Sequence, residues 1–189
     1  MKIVKWIGIV LLGVTLLFFI MSFTIGTNPE NGFMNERLEE MEVYFDYRDA
    51  SNSTISEVDV AWQLDHSLKV INNIIKSLIA SDPRAYQINF NISRTLVFTR
   101  GDFPRGVAQA PESVIPSDDI TDQELKDQLQ LAREQLASMA ELDPRASYNH
   151  AVFGLLDRNE TARLLVVHTD HHLKIIRDIL EAEQIAVNN

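Results

Sequence analysis

The sequence predicts an all-α protein, one long apolar helix followed by a four-helix bundle. Three observations carry that expectation. Twenty residues without a charge run from Trp6 to Ile25. Behind them, apolar side chains recur at helical spacing over four long stretches, each opened or closed by residues that start or stop helices. Strand signals are weak, and Leu96-Val97-Phe98 is the one short candidate.

The apolar stretch comes first. As a helix rising about 1.5 Å per residue it would span roughly 30 Å, the hydrocarbon thickness of a bilayer. Lys2 and Lys5 precede it, while Glu30, Glu36, Glu39 and Glu40 follow. The positive-inside rule then expects residues 1–5 in the cytoplasm, 6–25 as a transmembrane helix and the rest outside the cell membrane. The competing reading is a cleaved signal peptide, whose apolar region is about 7–15 residues and ends in a small-x-small site. The run here is longer and Thr24-Ile25-Gly26 is a poor cleavage site, so a retained single-pass anchor is the expectation.

After the anchor, 26–33 reads as a turn-rich linker and 34–189 as one domain. A short charged helix is expected over about 34–48, and a long one over about 56–81 after the break at Asn52-Ser53-Thr54. Asp82-Pro83 opens the next, with Pro83 suited to a first helical position, and it is expected to run to about Thr99. Residues 100–120 hold three prolines and two glycines, which forbid a regular element and leave a long crossover loop. Thr121-Asp122-Gln123-Glu124 is a capping box for a helix to about 142. A loop over 143–158 leads to Asn159, an N-cap for a last helix to about 183. Four long helices with one long crossover fit a bundle.

Composition narrows the chemistry. The chain has no cysteine, which excludes disulfides, thiolate metal sites and cysteine nucleophiles. Beyond the anchor, 17 − 2 = 15 basic residues stand against 27 acidic ones, a net charge near −12. Such a surface repels phosphate backbones, so nucleic acid is not an expected partner.

Histidines are the residues that point to a site. Three of the five crowd into His168-Thr169-Asp170-His171-His172. At about 100° per residue, His172 lies roughly 40° from His168, in the same sector as Leu164, Leu165, Ile175 and Ile179. Both therefore belong to the buried stripe of the last helix, with His171 on its margin. Two imidazoles at i and i+4 are close enough to share one metal ion, and burying them without a common purpose would leave ring nitrogens unpaired. The competing reading is a histidine-rich stretch bonded to neighbouring polar groups. A third ligand must come from elsewhere, and His66 is the natural candidate. Periodicity argues against it: the apolar stripe Leu64, Leu68, Ile71, Ile75 and Leu78 points almost opposite to His66, whose own face carries Trp62, Val70, Asn73 and Ser77.

Three stretches together resemble the DinB-like (YfiT-like) superfamily of metalloenzymes. They are Trp62-Gln63-Leu64-Asp65-His66-Ser67-Leu68-Lys69-Val70, then Phe103-Pro104-Arg105-Gly106 with Ala110-Pro111-Glu112, and Asn149-His150-Ala151-Val152-Phe153-Gly154-Leu155 followed by His168-Thr169-Asp170-His171-His172-Leu173. The nearer likeness is to a branch described as domain of unknown function family 1569, and it covers roughly 35–183. The resemblance implies a four-helix bundle with a divalent metal on three histidines, here His66, His168 and His172. One departure is Ala151, where the branch shows proline after the histidine. The resemblance leaves His150 as a loop-ordering group, and Arg105 either as a contact for an anionic substrate or as a solvated turn residue.

A three-histidine site without a fourth protein ligand leaves a position open, as catalytic zinc sites do. The resulting expectation is a metal-dependent hydrolase or thiol transferase acting on a small molecule, with zinc, nickel and manganese not distinguished by ligand type. Asp65 and Asp170 are the candidates to orient a histidine. The alternative is a non-catalytic, membrane-tethered binding or structural bundle. A homodimer is compatible with either.

Overall fold

The computed structural model describes residues 2–30, 32–106 and 109–187, and side chains at 2–5, 18 and 21–24 lie outside that description. The described residues are mostly helical, with six α-helices and two short strands. The helices are α1 (Lys2–Thr24), α2 (Asn35–Val43), α3 (Val60–Ile79), α4 (Ile92–Arg100), α5 (Asp122–Met139) and α6 (Arg158–Ala182). The strands, β1 (Tyr148–His150) and β2 (Gly154–Leu156), form one antiparallel hairpin that pairs Tyr148 with Leu156.

The expected membrane anchor is corrected. Among the described residues no helix is long and apolar enough to cross a membrane. The far end of α1 is also tied to the rest of the chain. Phe19 lies 5.9 Å from Phe90 between ring centroids, and Thr27 N–H donates to the Asn159 carbonyl at 3.0 Å. The single-pass topology over 6–25 and the extracytoplasmic placement drawn from it therefore fall. The flanking Lys2 and Lys5 side chains lie outside the described residues.

Helix α3 is the centre of the fold and packs chiefly on α5 and α6. Its sequence would suggest one buried stripe, yet it is buried nearly all round. Leu64, Leu68, Ile71, Ile75 and Leu78 are buried, and so are Gln63, Asp65, His66, Ser67, Val70 and Asn72. Helix α5 offers Leu125, Leu129, Ala132, Leu136 and Met139, a single helical stripe, to that core. It starts where the sequence expects, with both halves of the Thr121–Glu124 capping box formed. Helix α2 lies against α5 and α6 and inserts Leu38 and Met41.

Two stretches depart from expectation. The helix expected over 83–99 is broken: Pro83–Ala85 makes a single 3-10 turn, and α4 begins only at Ile92. The intervening residues are held by the hairpin. Asn89 Nδ2 donates to the Leu155 carbonyl at 2.6 Å, and Asn91 Nδ2 donates to the Val152 carbonyl at 2.9 Å. Asn91 then caps α4 by accepting from Arg94 N–H at 2.9 Å. Leu96-Val97-Phe98, the strand candidate, sits inside α4. The second departure is the hairpin itself, in a stretch expected to be loop. Gly154 bends it with φ +73°, and a Cβ there would lie 3.1 Å from Asn89 Oδ1. The last helix starts earlier than expected, because Asp157 with Glu160, not Asn159, forms its capping box.

Arg94 joins these pieces. Its guanidinium is 2% exposed and donates to Asn89 Oδ1 and the Leu155 carbonyl, each at 3.3 Å, and to Glu160 Oε2 at 3.3 Å. One side chain thus ties α4, the extended segment, the hairpin and α6.

Candidate metal centre

Helices α3 and α6 run side by side and bring three imidazoles to one point. His66 comes from α3, His168 and His172 from successive turns of α6. One nitrogen from each ring lies within 4.8 Å of the other two. The Nε2 atoms of His168 and His172 are 3.3 Å apart. The ring centroids of His66 are 5.3 Å from those of His168 and 4.8 Å from those of His172. His66 and His172 are buried, while His168 keeps an exposed edge.

Each ring is held differently. His66 Nδ1–H donates to the Val114 carbonyl at 2.9 Å, and the ring stacks on Trp62 with centroids 4.8 Å apart. His172 Nδ1 is 2.6 Å from Gln63 Oε1. His168 Nδ1 is buried and has no partner among the described residues. Burial holds the His168 and His172 rings well below the usual imidazole pKa, and the neighbouring rings push the same way. Burial lowers His66 as well, partly offset by the Val114 carbonyl and Asp65. All three are therefore neutral at pH 7, the form that ligates metals.

His66 is the instructive member, since periodicity turned it away from the core. The structure buries it because part of the long crossover lies over that face of α3. Val114 sits in a 3-10 turn, Asn73 Nδ2 donates to the Ser113 carbonyl at 3.1 Å, and Lys69 Nζ donates to the Ile115 carbonyl at 3.4 Å. A mixed helix face is thus covered by backbone carbonyls rather than by another helix. The other half of the crossover caps the α6 side. Phe103 meets His168 and His171 edge-on at 6.1 and 5.9 Å, and Asp102 lies 3.4 Å from both His171 Nδ1 and Lys174 Nζ.

The remaining sequence candidates go elsewhere. Asp65 pairs with Lys69 at 2.6 Å and accepts from Gln128. Asp170 accepts from Arg37 at 2.7 and 2.9 Å. Neither orients a histidine of the centre. Those roles fall to Gln63 and the Val114 carbonyl, which sequence reasoning missed. Gln63 carried a signal, being three residues before His66 and hence on the same side of α3; a backbone carbonyl carries none. His150 Nδ1 accepts from the Val152 and Phe153 amides at 3.1 and 3.2 Å, so it orders the hairpin turn. Arg105 pairs with Asp178 at 2.5 Å.

No family model, no curated protein and no solved structure matches this chain.

The donor set fits a divalent ion. Tetrahedral zinc with Zn–N bonds of about 2.05 Å places its nitrogens about 3.3 Å apart, the spacing already present between His168 and His172. His66 has at most about 1.5 Å to close from 4.8 Å, within reach of side-chain rotation. Among the described residues no carboxylate or further histidine joins the three, so the side chains would fill three positions of a four-coordinate ion.

Proposed function

We propose that this chain is a DinB-like four-helix bundle that holds one divalent metal ion on His66, His168 and His172, and that it acts on a small molecule as a metal-dependent hydrolase or thiol transferase. The observation that carries the reading is the convergence of three neutral imidazoles within 4.8 Å, two of them already at the spacing of a tetrahedral site. Helices α2, α3, α5 and α6 supply a four-helix core, and the ligand pattern, one histidine on the first long helix and two on the last, is the one the superfamily resemblance implies.

When bound, the ion would lower the pKa of a water or thiol at its open position. The chain's own part is separate. Trp62 and Val114 fix the His66 ring, Gln63 fixes His172, and Phe103 limits water on the His168 side. Ligand type fits zinc, nickel and manganese alike.

The test is elemental mass spectrometry of the full-length chain, purified without a histidine tag, beside a His168→Ala/His172→Ala variant. About one equivalent of zinc, nickel or manganese is expected, and its loss in the variant. A wild type that holds no metal after reconstitution refutes the centre.

A further inference from the structure

Two of the three rings have their tautomer set by an oxygen acceptor, and the third only by a neighbouring ring. Ser56 commits its single hydroxyl proton to the Val58 carbonyl at 2.8 Å, while its oxygen accepts from Val58 N–H at 3.2 Å. With that proton committed, Ser56 Oγ can only accept from Gln63. The Gln63 group 3.1 Å away is therefore the amide NH2. This turns Gln63 Oε1 toward His172 Nδ1 at 2.6 Å. An amide oxygen only accepts, so His172 carries its proton on Nδ1 and a lone pair on Nε2. The Val114 carbonyl sets His66 in the same way. His168 is set only by its neighbouring ring: its Nδ1 has no partner among the described residues, and its Nε2 faces the bare Nε2 of His172 at 3.3 Å. Two bare nitrogens at that distance repel, so in the metal-free chain the His168 proton sits on Nε2, on the side where a cation would bind.

We infer that Gln63, locked by Ser56, is the positioning residue that presents His172 Nε2 as a lone pair, and that His168 is the ring whose proton transfers from Nε2 to Nδ1 when a divalent cation binds. One proton leaves Nε2 and one is taken up at Nδ1, so the ring stays neutral and no net proton is released from it. The Gln63 half stands on hydrogen bonding alone; the His168 half rests on the ion site proposed above.

The experiment uses full-length chain with ¹⁵N-labelled histidine and long-range proton–nitrogen correlation spectra, recorded metal-free and with one equivalent of zinc. The metal-free spectrum should show His172 protonated at Nδ1 and His168 at Nε2, and zinc should switch His168 alone. Gln63→Met keeps the length of the side chain and removes the acceptor. It should leave His172 as a tautomer mixture and weaken zinc binding by about 10–100-fold. Gln63→Glu, which keeps an acceptor, should restore both readouts. Ser56→Ala, which touches no ring, should blur the His172 tautomer by freeing the Gln63 amide to turn. His172 protonated at Nε2 in the metal-free wild type overturns the inference, as does wild-type zinc affinity in Gln63→Met. If His172 has the stated tautomer and the methionine variant loses it, yet no zinc binds, the ion site and the His168 half fall together and the role of Gln63 stands.

Discussion

Replacing His168 and His172 one at a time by leucine should shift the stability of the metal-free chain in opposite directions. His168 Nδ1 is buried without a partner among the described residues, a condition that costs about 1–3 kcal/mol. Leucine removes that group and adds apolar surface, and it forfeits only the contact to His172 at 3.3 Å, about 0.5–1.5 kcal/mol. The net is a gain of about 1 kcal/mol, or roughly 2–4 °C in Tm for a chain of this size. His172→Leu leaves Gln63 Oε1 stranded on a residue only 3% exposed, so it should lose about 1–3 kcal/mol and melt lower. Zinc at about one hundred times its Kd should then stabilise the wild type by about 2.7 kcal/mol, roughly 5–11 °C, and neither variant by a comparable amount. Thermal melts followed by circular dichroism, in chelator and in zinc, read all of this. If both variants melt lower than wild type in chelator by similar amounts, His168 is an ordinary packed histidine and the reasoning fails. Equal zinc shifts in all three proteins would refute it from the other side.

Much of this fold was legible from local chemistry. The capping box at Thr121–Glu124 and the single stripe of α5 behave as their sequences read, because both depend on contacts three or four residues apart. The stretch 86–91 was not legible. Its backbone is extended because Asn89 and Asn91 reach carbonyls of the hairpin about 60 residues away, and no local propensity records that. The hairpin escaped for a related reason: its strands are three residues each, too short to show alternation.

The site divides the same way. His168 and His172 were readable because they fall within an apolar stripe where solvated residues do not belong. His66 was the natural third candidate but periodicity did not support it, and the superfamily resemblance strengthened it, since its face of α3 is covered by a loop whose path no periodicity reveals. Asp65 and Asp170 looked like orienting carboxylates, but Lys69 and Arg37 claim them. A carboxylate beside a histidine in sequence is more readily met by a nearby cation than by the ring. A neutral glutamine has no such competitor, and Gln63 is free to hold His172.

Two further outcomes test the scaffold. Arg94→Leu should cost about 3–5 kcal/mol, because it strands the Glu160 carboxyl and unties the hairpin from α4 at once; a urea midpoint within error of wild type would refute that. The pH dependence of the metal-free chain should come from two opposed groups. Folded His66, His168 and His172 titrate below the ordinary imidazole, so below about pH 6.5 the unfolded chain binds protons that the folded chain refuses. Stability should therefore fall on acidification, by up to about 1.4 kcal/mol per pH unit for each ring. Glu160 runs the other way. Burial pushes its carboxyl up to about 7, outweighing the Arg94 guanidinium at 3.3 Å, so its contribution is full at acid pH and is lost as pH rises through about 7. Between about pH 5 and 7 the two trends oppose each other. Glu160→Gln removes the counterweight, and its urea midpoint should fall more steeply from pH 7 to 5 than that of the wild type. Parallel profiles would mean that Glu160 is ionised throughout the range and that Arg94, not burial, governs it.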